Sequence, residues 1–258
     1  MKTNNENLRR GLTLLELLVL IAFVTALLGF AVPAAIGGLR RAAQMQGISN
    51  AGEIKKSLDL FASDFDDFYP NDETAELLAK LLNKDPSSPN KGEDELSFHS
   101  LDNSNKSSTK PSNFYFTQLI TNGILGKEEE ELFFSNDFNK AFSLKKPNKD
   151  GILTQGECVW GYTVGLQQTS SSHLPIIFDS PISTGHSPHF SKLVWEGKVI
   201  VVRLNNSTKP IKIAGSGGHS GIVKDKIDGR TFNIFAPENL EGGTLAPADL
   251  KRATNTSS

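Results

Sequence analysis

The sequence has a single cysteine, Cys158, and no large excess of charge of either sign. One cysteine cannot form an intramolecular disulfide, so the stability of the chain must come from packing. Lysine and arginine number 27 against 29 aspartates and glutamates, a formal net charge of −2. Because there is no basic field, the composition argues against nucleic acid as a partner. The 258 residues include 16 phenylalanines, enough for one core of ordinary size plus a membrane segment.

Charge is also absent from residues 17–39, and the longer run of residues 11–38 carries only Glu16. About 20 apolar residues at 1.5 Å each span the hydrocarbon core of a bilayer, so the run predicts a membrane-spanning helix. A carboxylate inside such a helix is costly and commonly marks a functional site. Two plainer interpretations remain open from the residues alone. One is a one-span anchor, and the other is a secretory signal peptide cleaved near residues 31–35.

Residues 11–19, Gly-Leu-Thr-Leu-Leu-Glu-Leu-Leu-Val, closely resemble the processing site of type IV prepilins and type II secretion pseudopilins. That family has a short basic leader ending in glycine, an apolar first mature residue and a glutamate at the fifth mature position. Here Gly11 and Leu12 flank the scissile bond, and Glu16 occupies the fifth position. Pro33 lies where the family commonly has a proline that kinks the helix. Leu12 departs from the phenylalanine that is commoner at its position, and the resemblance covers roughly the first 60 residues.

The resemblance implies a structural subunit of a type II secretion pseudopilus or a related type IV pilus-like filament, and not an enzyme. Prepilin peptidase would cut after Gly11, Leu12 would be N-methylated, and Glu16 would pair with a terminal amine and fix the register of neighbouring subunits. Further partners would be other pilin-like subunits through the N-terminal helix, an inner-membrane assembly platform and the lipid bilayer. The chain would pass once through the inner membrane, with a cytoplasmic leader and a periplasmic head. The lone Cys158 favours pseudopilins over pilins that carry a disulfide.

Beyond the apolar run, apolar residues recur every three or four positions from Met45 to Phe68, the spacing of one helical face. A second, short helix is predicted with Asp72 as its N-cap, and strands are predicted in the later half. The fold class expected is α+β and pilin-like: a long N-terminal helix, membrane-spanning in its first half, packed on an antiparallel β-sheet head. The predicted segments are a leader (1–11), a transmembrane half-helix (12–39), an amphipathic half-helix (40–70), a globular head (71–236) with a flexible excursion (84–113), and a disordered tail (237–258).

The segment of residues 146–157 is similar to a calcium-binding loop, with Asn148, Asp150 and Glu157 at three ligand positions. Lys146, however, stands where the first anionic ligand belongs. A plain turn closed by an Asx side chain is therefore the favoured interpretation. No cofactor is expected, and calcium is the one candidate.

Two further functions remain as alternatives to the filament subunit. One is a membrane-anchored or exported periplasmic binding protein. The other is an exported hydrolase that uses His219 and Ser220, although the glycine pattern of a nucleophile elbow is incomplete there. His186 and His189 are too few for a metal site. Asp228 and Gly229 form a favoured hairpin-turn dipeptide.

Overall fold

The computed structural model describes residues 13–84, 110–183, 187–215, 218–227 and 229–252, without the side chains of residues 30–36, 83, 84, 140, 251 and 252. The chain divides into two units, Met1–Ala43 and Gln44–Ser258. The predicted leader, Leu12 and most of the predicted excursion at 84–113 lie outside the described residues.

The first helix, α1, extends from Leu14 to Asp64. It ends where Asp66 and Asp67 take positive φ angles of 50° and 65°. Aspartate tolerates this left-handed conformation better than most residues, because its short side chain can hydrogen-bond locally. The amide of Asp67 donates to the carbonyl of Ala62 at 2.9 Å, which satisfies one of the free carbonyls of the last turn.

Helix α2 spans Asp72–Lys84 and helix α3 spans Ser112–Thr121. The N-cap of α2 is Asn71, one residue before the predicted Asp72. Asn71 Oδ1 accepts from the amide of Thr74, and Thr74 Oγ1 accepts from the amide of Asn71, both at 2.8 Å. This reciprocal pair is a capping box in which asparagine and threonine replace the usual residues.

Eight of the described strands form one antiparallel sheet, which curls into a half-barrel. Its order is β4-β7-β6-β5-β3-β2-β9, with β8 paired to the distal part of β7; β1 and β10 form a separate ribbon. The strands are β1 Phe142–Ser143, β2 Trp160–Val164, β3 Pro175–Asp179, β4 Phe190–Ser191, β5 Lys198–Arg203, β6 Thr208–Ala214, β7 Ser220–Ile227, β8 Arg230–Asn233, β9 Thr244–Ala246 and β10 Lys251–Arg252. Short 3₁₀ turns cover Lys127–Phe133, Asn136–Lys140 and Pro237–Asn239. The segment predicted as a disordered tail, residues 237–258, thus contributes β9 and β10 within its described part.

Strand β5 is buried on both faces, which its run of β-branched residues permits. Successive strand residues point to opposite faces. Val199 and Val201 belong to an apolar cluster with three phenylalanines, while Ile200 lies under α1. At that point the helix contributes Gly47, where a Cβ atom would lie 3.0 Å from Ile200 Cδ1 and 3.1 Å from the ring of Trp195. The phenylalanines of the cluster are Phe178, Phe190 and Phe235.

The predicted membrane-spanning half of the long helix is wrong. Within the described part of the chain, no helix combines the length and the apolar character needed to cross a lipid bilayer.

The other expectations that depended on that span are corrected with it. The pilin-like fold class as predicted, with a transmembrane first half, does not describe this chain, and its sheet is a curled half-barrel that the sequence analysis did not predict. The single-pass inner-membrane localisation, with a cytoplasmic leader and a periplasmic head, has no described helix to support it.

One carboxyl group is buried in the core beside the contact between α1 and the sheet. Asp179 ends β3, is 3 % exposed, and its Oδ2 accepts from the amide of Ile200 at 2.7 Å. Its Oδ1 and the nearby indole nitrogen of Trp195 are both buried, and neither makes a hydrogen bond of good geometry. Burial raises the pKa of Asp179 to about 8, against a smaller lowering by the Ile200 amide and the Trp195 indole. The group is therefore largely protonated at neutral pH.

Replacing Asp179 by asparagine should flatten the dependence of stability on pH. The folded pKa lies above the unfolded one, so the folded state holds more protons between about pH 4 and pH 8, and the wild-type free energy of unfolding falls as the pH rises through that window. Thermal denaturation at pH 5 and pH 8 should show a fall of about 5 °C or more for the wild type and much less for Asp179→Asn. Asp64→Asn, which changes an exposed carboxylate at the end of α1, is the control and should keep the wild-type slope. An unchanged slope in Asp179→Asn would show that this carboxyl is ionised throughout.

Candidate functional site

The side chains of Thr13 and Glu16 cap the N-terminus of α1 through reciprocal hydrogen bonds. Glu16 Oε2 accepts from the amide of Thr13 at 2.9 Å and from its hydroxyl at 3.0 Å, while Thr13 Oγ1 accepts from the amide of Glu16 at 3.2 Å. This is a capping box, in which two backbone donors of the first turn are satisfied by side chains. The spacing Thr-x-x-Glu in the sequence is its signal, and the sequence analysis did not use it.

The capping box also sets the charge of Glu16. The hydrogen bonds from the backbone and the side chain of Thr13 lower the pKa of this carboxyl, and it remains exposed. Glu16 is thus a carboxylate at neutral pH. One of its oxygens is used by the cap, and the group remains accessible to a cation from another molecule.

Large apolar side chains are exposed around the whole circumference of α1 after Glu16. Leu14 is 82 % exposed, and residues 17–21 are each about half exposed or more. A helix that is apolar on all sides is normally covered on all sides. The described side chains that carry this surface are Leu14, Leu15, Leu17, Leu18, Val19, Leu20, Ile21, Phe23, Val24, Leu27 and Leu28.

Three of the residues singled out by sequence cannot be assessed through side chains. Gly11 and Leu12, on either side of the expected cleavage point, lie outside the described residues. Pro33 lies within α1, whose backbone is helical from Leu14 to Asp64, and its side chain is not described. A kink at Pro33 stays a prediction.

The loop proposed as a calcium site is held by a residue that the sequence analysis missed, Glu130. This side chain is fully buried, and its two oxygens accept from the amides of Lys149 and Gly151, both at 2.6 Å. Burial raises the pKa of Glu130, and the two amide hydrogen bonds oppose that rise. We call this arrangement the Glu130 clamp. Its partners lie 19 and 21 residues away, so no local pattern indicates it.

Of the three calcium candidates, Asp150 and Glu157 accept hydrogen bonds from amides of the loop, and Asn148 is exposed without a described contact to them. Asp150 Oδ1 accepts from the amide of Ile152 at 3.1 Å, which is the Asx turn favoured from the sequence. Glu157 is fully buried, and its Oε2 accepts from the amide of Thr154 at 2.7 Å. Asn148 is exposed. No group of three or more potential ligands that could hold a metal ion occurs among the residues that the structure describes.

The residues of the hydrolase alternative lie at the beginning of a strand. Ser220 starts β7 and pairs with Ser191 of β4, and the carbonyl of His219 accepts from the amide of Lys192 at 2.7 Å. A nucleophile elbow requires a strand followed by a helix, and here a turn is followed by a strand. His186 and Asp228 lie outside the described residues, and His189 forms an isolated bridge with Ser183.

No protein-family model, no curated protein and no solved structure matches this chain. The comparisons therefore give no support to the assignment to pseudopilins or to a protein-secretion system. The prediction of a transmembrane protein is wrong for the described residues, because no helix among them can span a membrane.

Replacing Glu130 by glutamine should loosen the loop while leaving the sheet intact. Glutamine keeps one acceptor but directs an NH2 group at a backbone N–H, so one buried amide loses its partner at a cost of about 1–3 kcal/mol. Hydrogen exchange of the amides of Lys149 and Gly151 should become faster by about tenfold or more. Glu76→Gln, which changes an exposed carboxylate of α2 away from the loop, is the control. Equal exchange in the two variants would show that Glu130 does not hold the loop.

Proposed function

We propose that this chain is a structural subunit of a pilin-like filament, cleaved by a prepilin peptidase after Gly11 and assembled through its N-terminal helical segment. The observation that carries the proposal is the apolar surface that surrounds α1 between Leu14 and Leu28. Exposed apolar patches of this extent mark interaction surfaces. The same helix in neighbouring copies has an apolar surface of equal length, so packing these helices together would bury the exposed apolar side chains of each.

The sequence pattern around Gly11 supports the same proposal from a different direction. A basic leader, a glycine, an apolar residue and a glutamate occur at the offsets of a prepilin processing site. Cleavage after Gly11 would make Leu12 the new N-terminus, next to the N-cap Thr13. N-methylation of Leu12 would leave its amine cationic.

In such an assembly Glu16 has a partner of the right charge. The amine of Leu12 from a neighbouring copy would lie among apolar side chains, where an unpaired charge is strongly disfavoured. The carboxylate of Glu16 would pair with it and fix the axial register of the two helices. The pair need not add net stability, because the loss of either partner exposes the desolvation cost of the other.

Cleavage should depend on the absence of a side chain at Gly11. A peptidase cleft that approaches the backbone closely has least room at that position, so Gly11→Val should block processing. The intact mass of the protein from cells that express prepilin peptidase should be that of a chain starting at Leu12 for the wild type, and that of the uncut chain for Gly11→Val. Leu12→Phe, which has the residue commoner in the family, is the control and should be cut. Cleavage of Gly11→Val at the same bond would refute the prepilin assignment.

The capping and pairing roles of Glu16 can be separated by three substitutions. Glu16→Gln keeps an oxygen that accepts from Thr13 but removes the charge, Glu16→Ala removes both, and Thr13→Val removes the cap hydroxyl and keeps the charge. If pairing fixes the register, Glu16→Gln and Glu16→Ala should both lower the assembled fraction by about tenfold or more, and Thr13→Val should have a small effect. Cross-linking followed by sedimentation measures that fraction.

The opposite ranking would assign a different role to the carboxylate. If Glu16→Gln assembles as the wild type does while Thr13→Val and Glu16→Ala fail, the side chain serves only to start α1. If all four proteins assemble equally, neither role contributes to the filament.

A further inference from the structure

A cleft of about 840 Å³ lies on the second unit, between α1 and the segment that contains the first 3₁₀ turn. On one side α1 presents a line of polar side chains at helical spacing: Gln46, Asn50, Glu53 and Ser57. The apolar stripe of this part of the helix was predicted to pack on the sheet. The polar line lies beside that stripe and leaves space where an apolar one would have closed on the head. The volume is in the range of ligand-binding clefts.

The rest of the lining is acidic and apolar. Glu128, Glu129 and Glu131 come from the 3₁₀ turn, and Leu132 and Phe134 also line the cleft. Such a lining suits a long cationic side chain, whose aliphatic part packs on apolar groups while its charged end meets carboxylates. Arginine fits best, because its guanidinium group has five donors and stacks on aromatic rings.

The charges around the cleft leave room for one more cation. Its lining has four carboxylates, including Glu53, and one ammonium group, Lys146. Two more lysines pair with lining residues: Lys56 with Glu53 at 2.9 Å, and Lys149 with Glu128 at 2.6 Å. Glu131 pairs with both Lys149, at 3.3 Å, and Lys146, at 3.6 Å. Four negative charges therefore meet three positive ones. Glu129 uses its Oε2 to accept from the amide of Gly126 at 2.6 Å, and its other oxygen is available to a new donor.

We infer that this cleft binds Arg41 of a neighbouring copy of the chain. The inference rests on the proposed function, since it concerns how copies that associate through α1 are aligned. Between Glu16 and Glu53 the helix carries only two charges, Arg40 and Arg41, and Arg41 is exposed. When helices associate through the apolar surface before these arginines, a guanidinium placed against a second apolar helix would need a carboxylate partner.

Arg41 and the cleft belong to different parts of the chain. The cleft is lined by residues from Gln46 onward, and Arg41 comes before that range in the sequence, so one copy can offer both groups at once. Such a contact is head-to-tail: each copy offers an arginine to one neighbour and a cleft to another, which propagates a helical filament. The Glu16 pair and the cleft contact can then involve different neighbours.

A charge exchange tests the contact in the full-length chain. Arg41→Glu should lower the assembled fraction by about tenfold or more, because it places a fifth carboxylate in an acidic cleft, and Glu53→Lys should lower it as well. The double variant Arg41→Glu with Glu53→Lys should recover assembly to within about threefold of the wild type. Arg41→Glu with Glu73→Lys is the control, since Glu73 is an exposed residue of α2 that does not line the cleft, and it should not recover.

The outcomes separate this inference from the proposed function. If the wild type assembles and Arg41→Glu assembles equally well, the cleft contact is refuted while the filament subunit stands. Equal recovery with Glu53→Lys and Glu73→Lys would show only an effect of net charge, and would also refute it. If the cleaved wild type does not assemble at all, the proposed function fails and this contact fails with it. Circular dichroism of every variant confirms that the head is folded, and Arg41→Gln, which adds no charge, should show an intermediate loss.

Discussion

The close approach of α1 to β5 at Gly47 is the constraint on which the second unit depends. With only a hydrogen atom at that position, the helix backbone comes within van der Waals distance of Ile200 and the Trp195 ring. The same contact lies next to Asp179, whose buried carboxyl accepts from the amide of Ile200 and is near the Trp195 indole. Helix, central strand and buried acid therefore form one arrangement. A side chain at position 47 would separate the helix from the strand and admit water to the acid.

Acidic side chains serve this chain chiefly by accepting from its own backbone. Glu16 closes the start of α1, Glu130 holds the loop at 149–151, and Asp179 bonds β5. A carboxylate accepts several hydrogen bonds at once and can satisfy N–H groups that no strand or helix pairs. This explains why a cluster of acids around residues 128–157 forms no metal site among the described residues, although its sequence resembles one. Glu130 and one oxygen of Glu157 accept from loop amides, and Glu128 and Glu131 pair with lysines.

Contacts between residues close together in the sequence could be predicted from local patterns. The Asx turn at Asp150 was predicted correctly, because its two partners are two residues apart. The capping boxes at Thr13 and Asn71 were equally local, and both could have been predicted from their spacing of three residues.

Contacts between distant segments could not be predicted in that way. The bonds of Glu130 join residues 19 and 21 positions apart, and the cleft between α1 and the 3₁₀ turn depends on how two remote elements pack. The curl of the sheet likewise results from the pairing of short strands, such as β9 with β2, that carry little periodic signal. The membrane-spanning prediction was also wrong: among the described residues, no helix is long and apolar enough to cross a bilayer.

The Glu130 clamp also affects how the loop can vary in evolution. Its two bonds go to main-chain N–H groups, so the clamp does not depend on the side chains at 149 and 151. The Lys149 side chain adds ion pairs with Glu128 at 2.6 Å and with Glu131 at 3.3 Å. Conformation also constrains substitutions there: φ is +62° at Lys149 and +103° at Gly151. Proline is excluded at both positions, because it lacks the N–H group and cannot adopt a positive φ. The clamp itself therefore requires an acid at position 130 and a glycine at position 151, while the charge at position 149 acts only through its pairs with Glu128 and Glu131.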